Sequence, residues 1–436
     1  MTNNRVTVIG GGLAGCEASC LLARRGIPVT LYEMKPRRYS PAHHSEGLAE
    51  LVCSNSFKAE RLESAAGLLK EEMRRLGSVC LQAADRARVP AGGALAVDRD
   101  VFSRLVTEAV ENEPNITVVR EEVTRLPDEG IVIIAAGPLM SDALAAEVAR
   151  LCGDRFLSFY DAAAPIVTAD SIDRAATFSQ SRYDRGGADD YLNCPLDKAQ
   201  YEAFYEALIT AESAPLHAFD VRKDVYEGCM PIEALAKRGK DAMRYGPLKP
   251  VGLLNPQTGH RPWANLQLRK ENADGTLYNL VGFQTNLRFA EQKRVFGMFP
   301  ALQNAEFVRY GVMHRNTFLN SPVLLARDFS LRSDPRIFFA GQITGVEGYM
   351  ESAGAGLLAG LNAARRLEGR DPLLLPRTTM LGALTCYMTD ATVKRFQPMG
   401  AAFGLMDPLD ETVRDKRERY GKLSARSLAY YDTLTL

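Results

Sequence analysis

The sequence lacks the features of several large classes of protein. It has no apolar run of the roughly 18 residues that read as a membrane-spanning helix, so we expect no membrane partner. It begins without the charged and apolar leader of a secretory signal, which predicts a cytoplasmic protein. Its 53 basic residues balance 53 acidic ones, so nucleic acid can be bound only by a local basic region.

The eight cysteines form no regular framework and no C-x-x-C pair. A disulfide scaffold is therefore excluded, and most of the thiols are expected to be buried. His43 and His44 are adjacent, point in different directions and have no suitably spaced Cys or Asp, so we predict no metal. With 46% hydrophobic and 24% charged residues, the 436-residue chain has the composition of a globular protein of two to three domains.

A complete dinucleotide-binding pattern stands at the start of the chain. A strand is predicted over Arg5–Ile9, a helix follows the glycines and ends at Gly26, and a second strand over Pro28–Tyr32 ends on Glu33. The loop between strand and helix has the pattern G-x-G-x-x-G and consists of Gly10, Gly11, Gly12, Leu13, Ala14 and Gly15. Strand, glycines, helix, strand and terminal acid together predict a nucleotide cofactor here.

Each glycine of that pattern, and the acid after the second strand, has a physical task in nucleotide binding. Gly10 permits the tight turn, Gly12 lets the backbone approach a pyrophosphate, and Gly15 lets helix and strand pack closely. The N–H groups at the helix N-terminus can bind phosphate, and Glu33 can accept hydrogen bonds from ribose hydroxyls.

Two later strands are predicted to end at the same edge of the sheet. One covers Ile131–Ala135 and leads to Gly137; the other covers Arg336–Ala340 and leads to Gly341 and Gln342. The turn and helix that follow begin at Gly348 and Tyr349 and are rich in glycine and alanine. These five residues after the strands are further candidates for cofactor contact, while the small residues of the helix suit either close approach to a ligand or close helix packing.

The order of these elements predicts an α/β fold with a split Rossmann-like FAD-binding domain. Residues 1–150 and 331–436 form that domain, and residues 151–330 form an inserted α+β domain for substrate or tRNA. FAD is favoured over a nicotinamide dehydrogenase because one N-terminal fingerprint is followed by a strand that ends in Ala-Gly-Pro and by a late strand with a glycine-rich turn and helix; only one fingerprint is present. A glutathione-reductase-like enzyme would normally carry a second fingerprint and a redox cysteine pair.

The predicted insertion has an uneven charge. Acidic residues dominate 154–221 and basic residues dominate 222–330. The basic candidates are Arg222, Lys223, Lys237, Arg238, Lys240, Arg244 and Lys249. We expect them to face the same cleft as the flavin and to follow a phosphate backbone, while a solvated basic surface is the alternative.

Several long stretches resemble one family of enzymes. They include VIGGGLAGCEA, LAELVCSNSF, VYEGCMPIEALAKRG, YNLVGFQTNL and FAGQITGVEGYMESAGAGLLAGLNAA, and they run through the whole chain. The chain resembles the folate- and FAD-dependent tRNA uracil methyltransferases, the TrmFO family. The related MnmG proteins share the late helix but carry a large additional C-terminal region for which this chain has no room.

The resemblance implies a reductive methylation that forms 5-methyluridine in the T-loop of tRNA. Methylenetetrahydrofolate would supply the one-carbon unit, and NAD(P)H would reduce FAD. The two functional cysteines of the family correspond to Cys53 and Cys229. A thiolate that adds to uracil makes the neighbouring carbon nucleophilic, which agrees with a cysteine in this role.

The two thiols are expected to divide the work. Cys229 lies among basic residues just before a predicted helix at Pro231, a place that favours thiolate, and it is interpreted as the nucleophile toward uracil. Cys53 belongs to the FAD-binding part and is interpreted as the flavin-side thiol. Cys194 is kept as a third candidate, and the other cysteines are expected to be structural.

Three other functions remain open at the level of sequence. The chain could be an FAD oxidoreductase that acts on a small molecule without RNA, or an MnmG-like enzyme that modifies wobble uridine in tRNA. It could also be a non-catalytic FAD-bound protein that binds tRNA. The first does not explain the basic region, and the last does not need both cysteines.

Overall fold

A computed structural model describes residues 5–40, 42–153, 156–184, 187, 189–214, 230–393 and 396–435. Cys229, Arg222 and Lys223 lie outside these residues. The strands are β1 Val6–Ile9, β2 Val29–Tyr32, β3 Ser56–Ala59, β4 Arg88–Val89, β5 Ala94–Val97, β6 Ile116–Val119, β7 Ile131–Ile134, β8 Phe156–Ala162, β9 Ile166–Thr168, β10 Phe178–Ser179, β11 Tyr191–Leu196, β12 Ala264–Lys270, β13 Leu277–Leu280, β14 Phe307–Arg309, β15 Met313–Leu319, β16 Ser330–Leu331 and β17 Asp334–Phe339. The helices are α1 Leu13–Arg24, α2 Ala65–Arg75, α3 Val79–Arg86, α4 Arg99–Glu111, α5 Asp142–Cys152, α6 Lys198–Thr210, α7 Ile232–Ala236, α8 Phe289–Phe296, α9 Ser321–Leu324, α10 Tyr349–Leu367, α11 Met380–Thr389 and α12 Lys416–Thr433.

A six-stranded sheet in the order β16-β17-β7-β1-β2-β6 organises the first unit. All neighbouring strands are parallel except β16 and β17. Ile9 is in register with Tyr32 on one side and with Ile134 on the other, and Ile134 is in register with Phe339. The loops that follow these strands therefore meet at one edge of the sheet. This topology, with strands from both ends of the chain, confirms the predicted split α/β fold.

Helices α1 and α10 lie against each other at backbone distance. A Cβ atom at Gly356 would come within 2.2 Å of the carbonyl oxygen of Ala14, and one at Gly360 within 2.9 Å of the Cα atom of Ala18. Only glycine allows this approach. The small residues in the body of α10 thus serve helix packing, one of the two uses that the sequence left open.

A second unit contains the antiparallel sheet β10-β11-β12-β13-β9-β14. Its apolar core is separate from that of the first unit and includes Leu192, Leu266, Phe283 and Phe296. Strands β8 and β15 pair antiparallel where the chain leaves and re-enters the first unit. Because Leu319 already belongs to the core of the first unit, we propose that the insertion ends at β15, before residue 331.

None of the twelve helices in the described part of the chain is long and apolar enough to cross a bilayer.

Candidate active site

A cavity of about 410 Å³ lies at the carboxyl edge of the parallel sheet. It is lined by every residue that the sequence predicted for the cofactor except Gly15, and also by Cys53. These lining residues are Gly10, Gly11, Gly12, Leu13, Ala14, Glu33, Cys53, Gly137, Gly341, Gln342, Gly348 and Tyr349. Such a volume is in the range of small-molecule and cofactor sites. The structure thus brings together residues from both ends of the chain.

The glycines of the first loop meet different surroundings. Gly10 has a φ of +105°, and a Cβ atom there would come within 2.6 Å of the Ala135 carbonyl oxygen. A Cβ atom at Gly15 would come within 1.8 Å of the Gly10 carbonyl oxygen. At Gly12, by contrast, a Cβ atom would meet nothing within 4 Å. Gly10 and Gly15 are thus required by packing, while Gly12 leaves open space in the cavity.

Glu33 organises this loop from the end of β2. Its carboxylate is 8% exposed and accepts hydrogen bonds from the backbone N–H groups of Gly11 at 2.9 Å and Lys35 at 3.0 Å. Each carboxylate oxygen can accept a further hydrogen bond. The contact to a ribose stays a prediction, and the structure adds a second task, since Glu33 holds the glycine loop in place.

The loop that carries Cys53 is fixed through its backbone by two arginines. Arg99, at the start of α4, donates to the carbonyl oxygen of Leu51 at 2.7 Å. Arg309, at the end of β14 in the second unit, donates to the carbonyl oxygen of Val52. Burial, followed by the neighbouring Arg99, lowers the pKa of Arg309. Both guanidinium groups thus hold the backbone just before Cys53, and Arg309 also interacts with the charge of the thiol, which favours thiolate.

Tyr349 contacts the Cys53 thiol directly. Its hydroxyl oxygen accepts hydrogen bonds from the N–H groups of Cys53 at 2.9 Å and Ser54 at 3.1 Å, and it lies 3.2 Å from the Cys53 sulfur. Because those two donors occupy the oxygen lone pairs, the hydroxyl proton is directed to the sulfur. Burial, then the charge of Cys53, raises the pKa of Tyr349 well above 10, so this proton is retained.

Asn55 ties the same loop to the second unit. It is 0% exposed, and its amide oxygen accepts from Arg269 Nη2 at 2.7 Å and Nε at 3.0 Å. Its amide nitrogen donates to the carbonyl oxygens of Val97 and Lys270, each at 3.0 Å. All four of these bonds are made by a buried amide, and three of them, to Arg269 and Lys270, cross the boundary to the second unit. The position of Cys53 is thus set by both units.

A charged pair in the cavity wall was missed by the sequence analysis. Lys58 has a φ of +64°, and its ammonium lies 2.9 Å from the carboxylate of Glu351, which is 2% exposed. Burial would raise the pKa of Glu351, but the Lys58 charge and hydrogen bond outweigh it and lower the pKa. Glu351 is the third residue of α10, two after Tyr349, and no periodicity or spacing in the sequence marks its partner Lys58.

A second polar cluster lines the cavity beneath Glu33. Lys35 donates to the Gly47 carbonyl oxygen at 2.7 Å and lies 3.1 Å from the Glu50 carboxylate. The Nδ1 atom of His43 lies 2.5 Å from the Ser40 hydroxyl. Burial, followed by the charge of Lys35, lowers the pKa of His43. The imidazole is therefore neutral at physiological pH.

Five of the other described cysteines are poorly suited to nucleophilic chemistry. Cys16, Cys80 and Cys194 are fully buried, and burial raises the pKa of each thiol well above its usual range. Burial likewise raises the pKa of Cys20 to about 12 and that of Cys152 to about 11. Cys194 is therefore a core residue rather than a third active thiol. Cys386 accepts a hydrogen bond from Arg327.

The basic candidates of the insertion occupy a different place from the cavity. Lys237, Arg238 and Lys240 are exposed, and Lys240 pairs with Glu202 at 3.0 Å. Arg244 and Lys249 line a separate groove. Of the predicted basic residues that can be located, none lines the cavity, which differs from the expectation of one shared cleft. No group of three His, Cys, Asp or Glu residues in the described chain is arranged to hold a metal.

Comparisons with known proteins give consistent matches. The family described as Glucose inhibited division protein A matches residues 5–371. Proteins named methylenetetrahydrofolate–tRNA-(uracil-5-)-methyltransferase TrmFO are 59% identical in Geobacter sulfurreducens, over 98% of both chains, and 58% identical in Desulforamulus reducens, over 98% of this chain and 97% of that one. A crystal structure of Aquifex aeolicus GidA has a TM-score of 0.70 and 18% identity, over 99% of this chain and 76% of that chain, which shows a shared fold.

Proposed function

The chain belongs to the TrmFO family within the group of GIDA-type proteins, and we propose that it is a methylenetetrahydrofolate–tRNA-(uracil-5-)-methyltransferase. Its product is 5-methyluridine in the T-loop of tRNA, and its place of action is the cytoplasm. The observation that carries the proposal is that Cys53 lines the same cavity as the dinucleotide loop. A thiol at that position can act on the carbon that is being transferred.

The residues of the cavity fit FAD. Gly12 presents open space at the N-terminus of α1, where backbone N–H groups face a pyrophosphate, and Glu33 has acceptor capacity left for a ribose. Gly341, Gln342 and Gly348 line the opposite wall. When bound and reduced by NAD(P)H, FAD supplies the two electrons that convert a transferred methylene group into a methyl group.

The protein contributes two thiols and their surroundings. Cys229 is proposed to add to C6 of uracil, which makes C5 nucleophilic toward the methylene carbon of the folate. Cys53 is proposed to act on the cofactor side, where the Tyr349 hydroxyl donates to its sulfur. Tyr349 then positions the thiol and stabilises its negative charge.

Covalent trapping with modified RNA tests this assignment. Fluorine at C5 of uridine cannot leave as a proton would, so the adduct of the attacking cysteine should persist. A tRNA T-arm that contains 5-fluorouridine should crosslink to wild type and to Cys53→Ala, and it should not crosslink to Cys229→Ala. The reverse pattern exchanges the two roles, and full methylation by either variant removes that cysteine from the mechanism.

The alternative functions have less support. An oxidoreductase for small molecules would not need a basic surface, and the relatives at 58–59% identity carry the TrmFO name. Tritium release from a tRNA labelled at C5 of the T-loop uridine alone, in the presence of methylenetetrahydrofolate and NAD(P)H, distinguishes the three functions. Absence of release under conditions in which the protein holds FAD would contradict the proposed reaction.

A further inference from the structure

A groove of about 730 Å³ lies on the second unit and shares no lining residue with the cavity. It is formed by the start of α6, by the turn around Tyr245 and by the segment that leads into β12. The residues that matter for its chemistry are Lys198, Arg244, Tyr245, Lys249, Arg261 and Trp263. Four of these are cations and two are aromatic.

The charge of the groove is strongly positive. Asp197 is the one acidic residue among those that line the groove. It is the N-cap of α6, and its carboxylate accepts a hydrogen bond from the N–H group of Gln200 at 2.8 Å. Arg244 pairs with Asp241 at 2.7 Å. Lys198, Lys249 and Arg261 form no ion pair with any residue whose position is described. These three charges are therefore available to an anionic partner.

The aromatic residues are placed for stacking. Tyr245 is 86% exposed, and Trp263, the single tryptophan of the chain, is 37% exposed. The Arg244 guanidinium lies 3.9 Å from the centroid of the indole ring, and its Nε atom donates to the Trp263 carbonyl oxygen at 2.9 Å. A cation held on the indole in this way fixes its orientation.

We propose that this groove, outside the cavity, binds unpaired nucleotides of the tRNA. Cations next to exposed aromatic rings are the combination that binds single-stranded RNA, because bases stack on the rings while Lys and Arg contact the phosphates. The inference rests on the proposed function, since tRNA is the substrate there. It adds a second contact region, outside the cavity, that positions the substrate.

Intrinsic fluorescence reports this groove directly, because Trp263 is the only tryptophan. Titration of the FAD-loaded protein with an unmodified tRNA transcript should change Trp263 emission at the same concentrations at which RNA binding is seen by filter retention. A blunt RNA duplex of equal length should cause little change. An equal response to the duplex, or no response while tRNA binds, would overturn the proposal.

Two variants separate the aromatic from the ionic contribution. Tyr245→Ala should weaken tRNA binding about five- to hundredfold, as expected for a lost base stack. Lys249→Ala with Arg261→Ala should lower the slope of log affinity against log salt by about two. The matched control Arg125→Ala with Arg332→Ala removes the same charge from exposed sites on the first unit and should leave that slope unchanged.

The outcomes also distinguish this inference from the proposed function. If wild type binds and methylates tRNA while both groove variants bind it as wild type does, the groove is not a contact region and the function stands. If wild type with bound FAD neither binds nor methylates tRNA, both fail. Loss of affinity in the groove variants but not in the control pair supports the proposal.

Discussion

Two glycines of the first loop serve different purposes, one in packing and one in the predicted cofactor contact. Gly12 and Gly15 are three residues apart in one pattern, yet a Cβ atom at Gly12 meets nothing within 4 Å, whereas one at Gly15 comes within 1.8 Å of the Gly10 carbonyl oxygen. The sequence pattern predicts pyrophosphate access for Gly12 and close packing for Gly15. The surroundings of the two glycines agree with both assignments.

The first prediction follows from this difference. Gly12→Val should fold with nearly unchanged thermal stability and purify without flavin, because its side chain occupies the space of the pyrophosphate. Gly15→Ala should cost about 1–3 kcal/mol of stability through overpacking. Absorbance at 450 nm and thermal unfolding measure the two effects. Gly421→Val, at another glycine whose Cβ would meet nothing within 4 Å, should keep its flavin.

The second prediction concerns the hydroxyl on the Cys53 sulfur. Tyr349→Phe removes the O–H donor and should slow iodoacetamide alkylation of Cys53 about tenfold at pH 7, since a hydrogen bond to a charged acceptor contributes about 1.5 kcal/mol. The curve of Cys53 alkylation rate against pH should also shift to higher pH. Peptide mapping by mass spectrometry isolates Cys53 from other thiols.

Tyr201→Phe is the control for this experiment, because its hydroxyl contacts the Lys240 carbonyl in the second unit. It should leave Cys53 alkylation unchanged. An unchanged rate in Tyr349→Phe would mean that the hydroxyl does not act on the thiol.

At the scale of secondary structure, two buried glutamates hold helix N-termini. Glu72 on α2 accepts from the N–H groups of Met380 at 2.6 Å and Leu381 at 2.8 Å at the start of α11. Glu17 on α1 accepts from Val79 at 3.0 Å and Cys80 at 3.1 Å at the start of α3. Each carboxylate therefore caps the N-terminus of a helix that lies far from it in the sequence.

The third prediction is a pH dependence of stability. Burial raises the pKa of Glu72 from 4.5 to about 7. Between these values the folded protein holds a proton that the unfolded chain has released, so stability should fall as pH rises from about 4.5 to 7, by up to about 3 kcal/mol. The pKa of Glu17 is raised in the same way, to about 7, and acts in the same direction.

Urea unfolding at several pH values measures this slope. Glu72→Gln removes one titrating group and should flatten the slope by roughly half, whereas Glu108→Gln, on an exposed face of α4, should leave it unchanged. A slope of the opposite sign in wild type would show that hydrogen bonds to the carboxylates outweigh their burial.

At the scale of the whole molecule, the active site depends on the contact between two units with separate cores. The fourth prediction is that Asn55→Ala loses about 3 kcal/mol of stability, because the buried Arg269 guanidinium loses the amide oxygen that accepts two of its hydrogen bonds and keeps the longer contact to the Ser54 hydroxyl. Denaturant unfolding measures the loss. Adding Arg269→Leu should restore part of it, since the unpaired charge is then gone, and Asn304→Ala on the surface should cost nothing.

Local pattern in the sequence determined the split α/β fold and the family and predicted the cofactor loop, because strand–glycine–helix order and long matching stretches are properties of contiguous residues. The comparisons confirm the family, and the topology confirms the fold class. The different tasks of Gly12 and Gly15 also followed from the pattern, and their surroundings agree. The neutral His43 could not be predicted from the sequence, because burial is not a property of the local chain.

Only the tertiary structure decided how Cys53 is held. Its partners Arg309 and Tyr349, and Arg269 beside Asn55, lie more than two hundred residues away in sequence, and no periodicity links such positions. In the basic groove, too, Lys198 and Trp263 are separated in sequence and come together only in the folded chain. Hydrogen bonds and charge pairs act over a few ångströms of space, so they become visible only when the folded chain brings distant residues together.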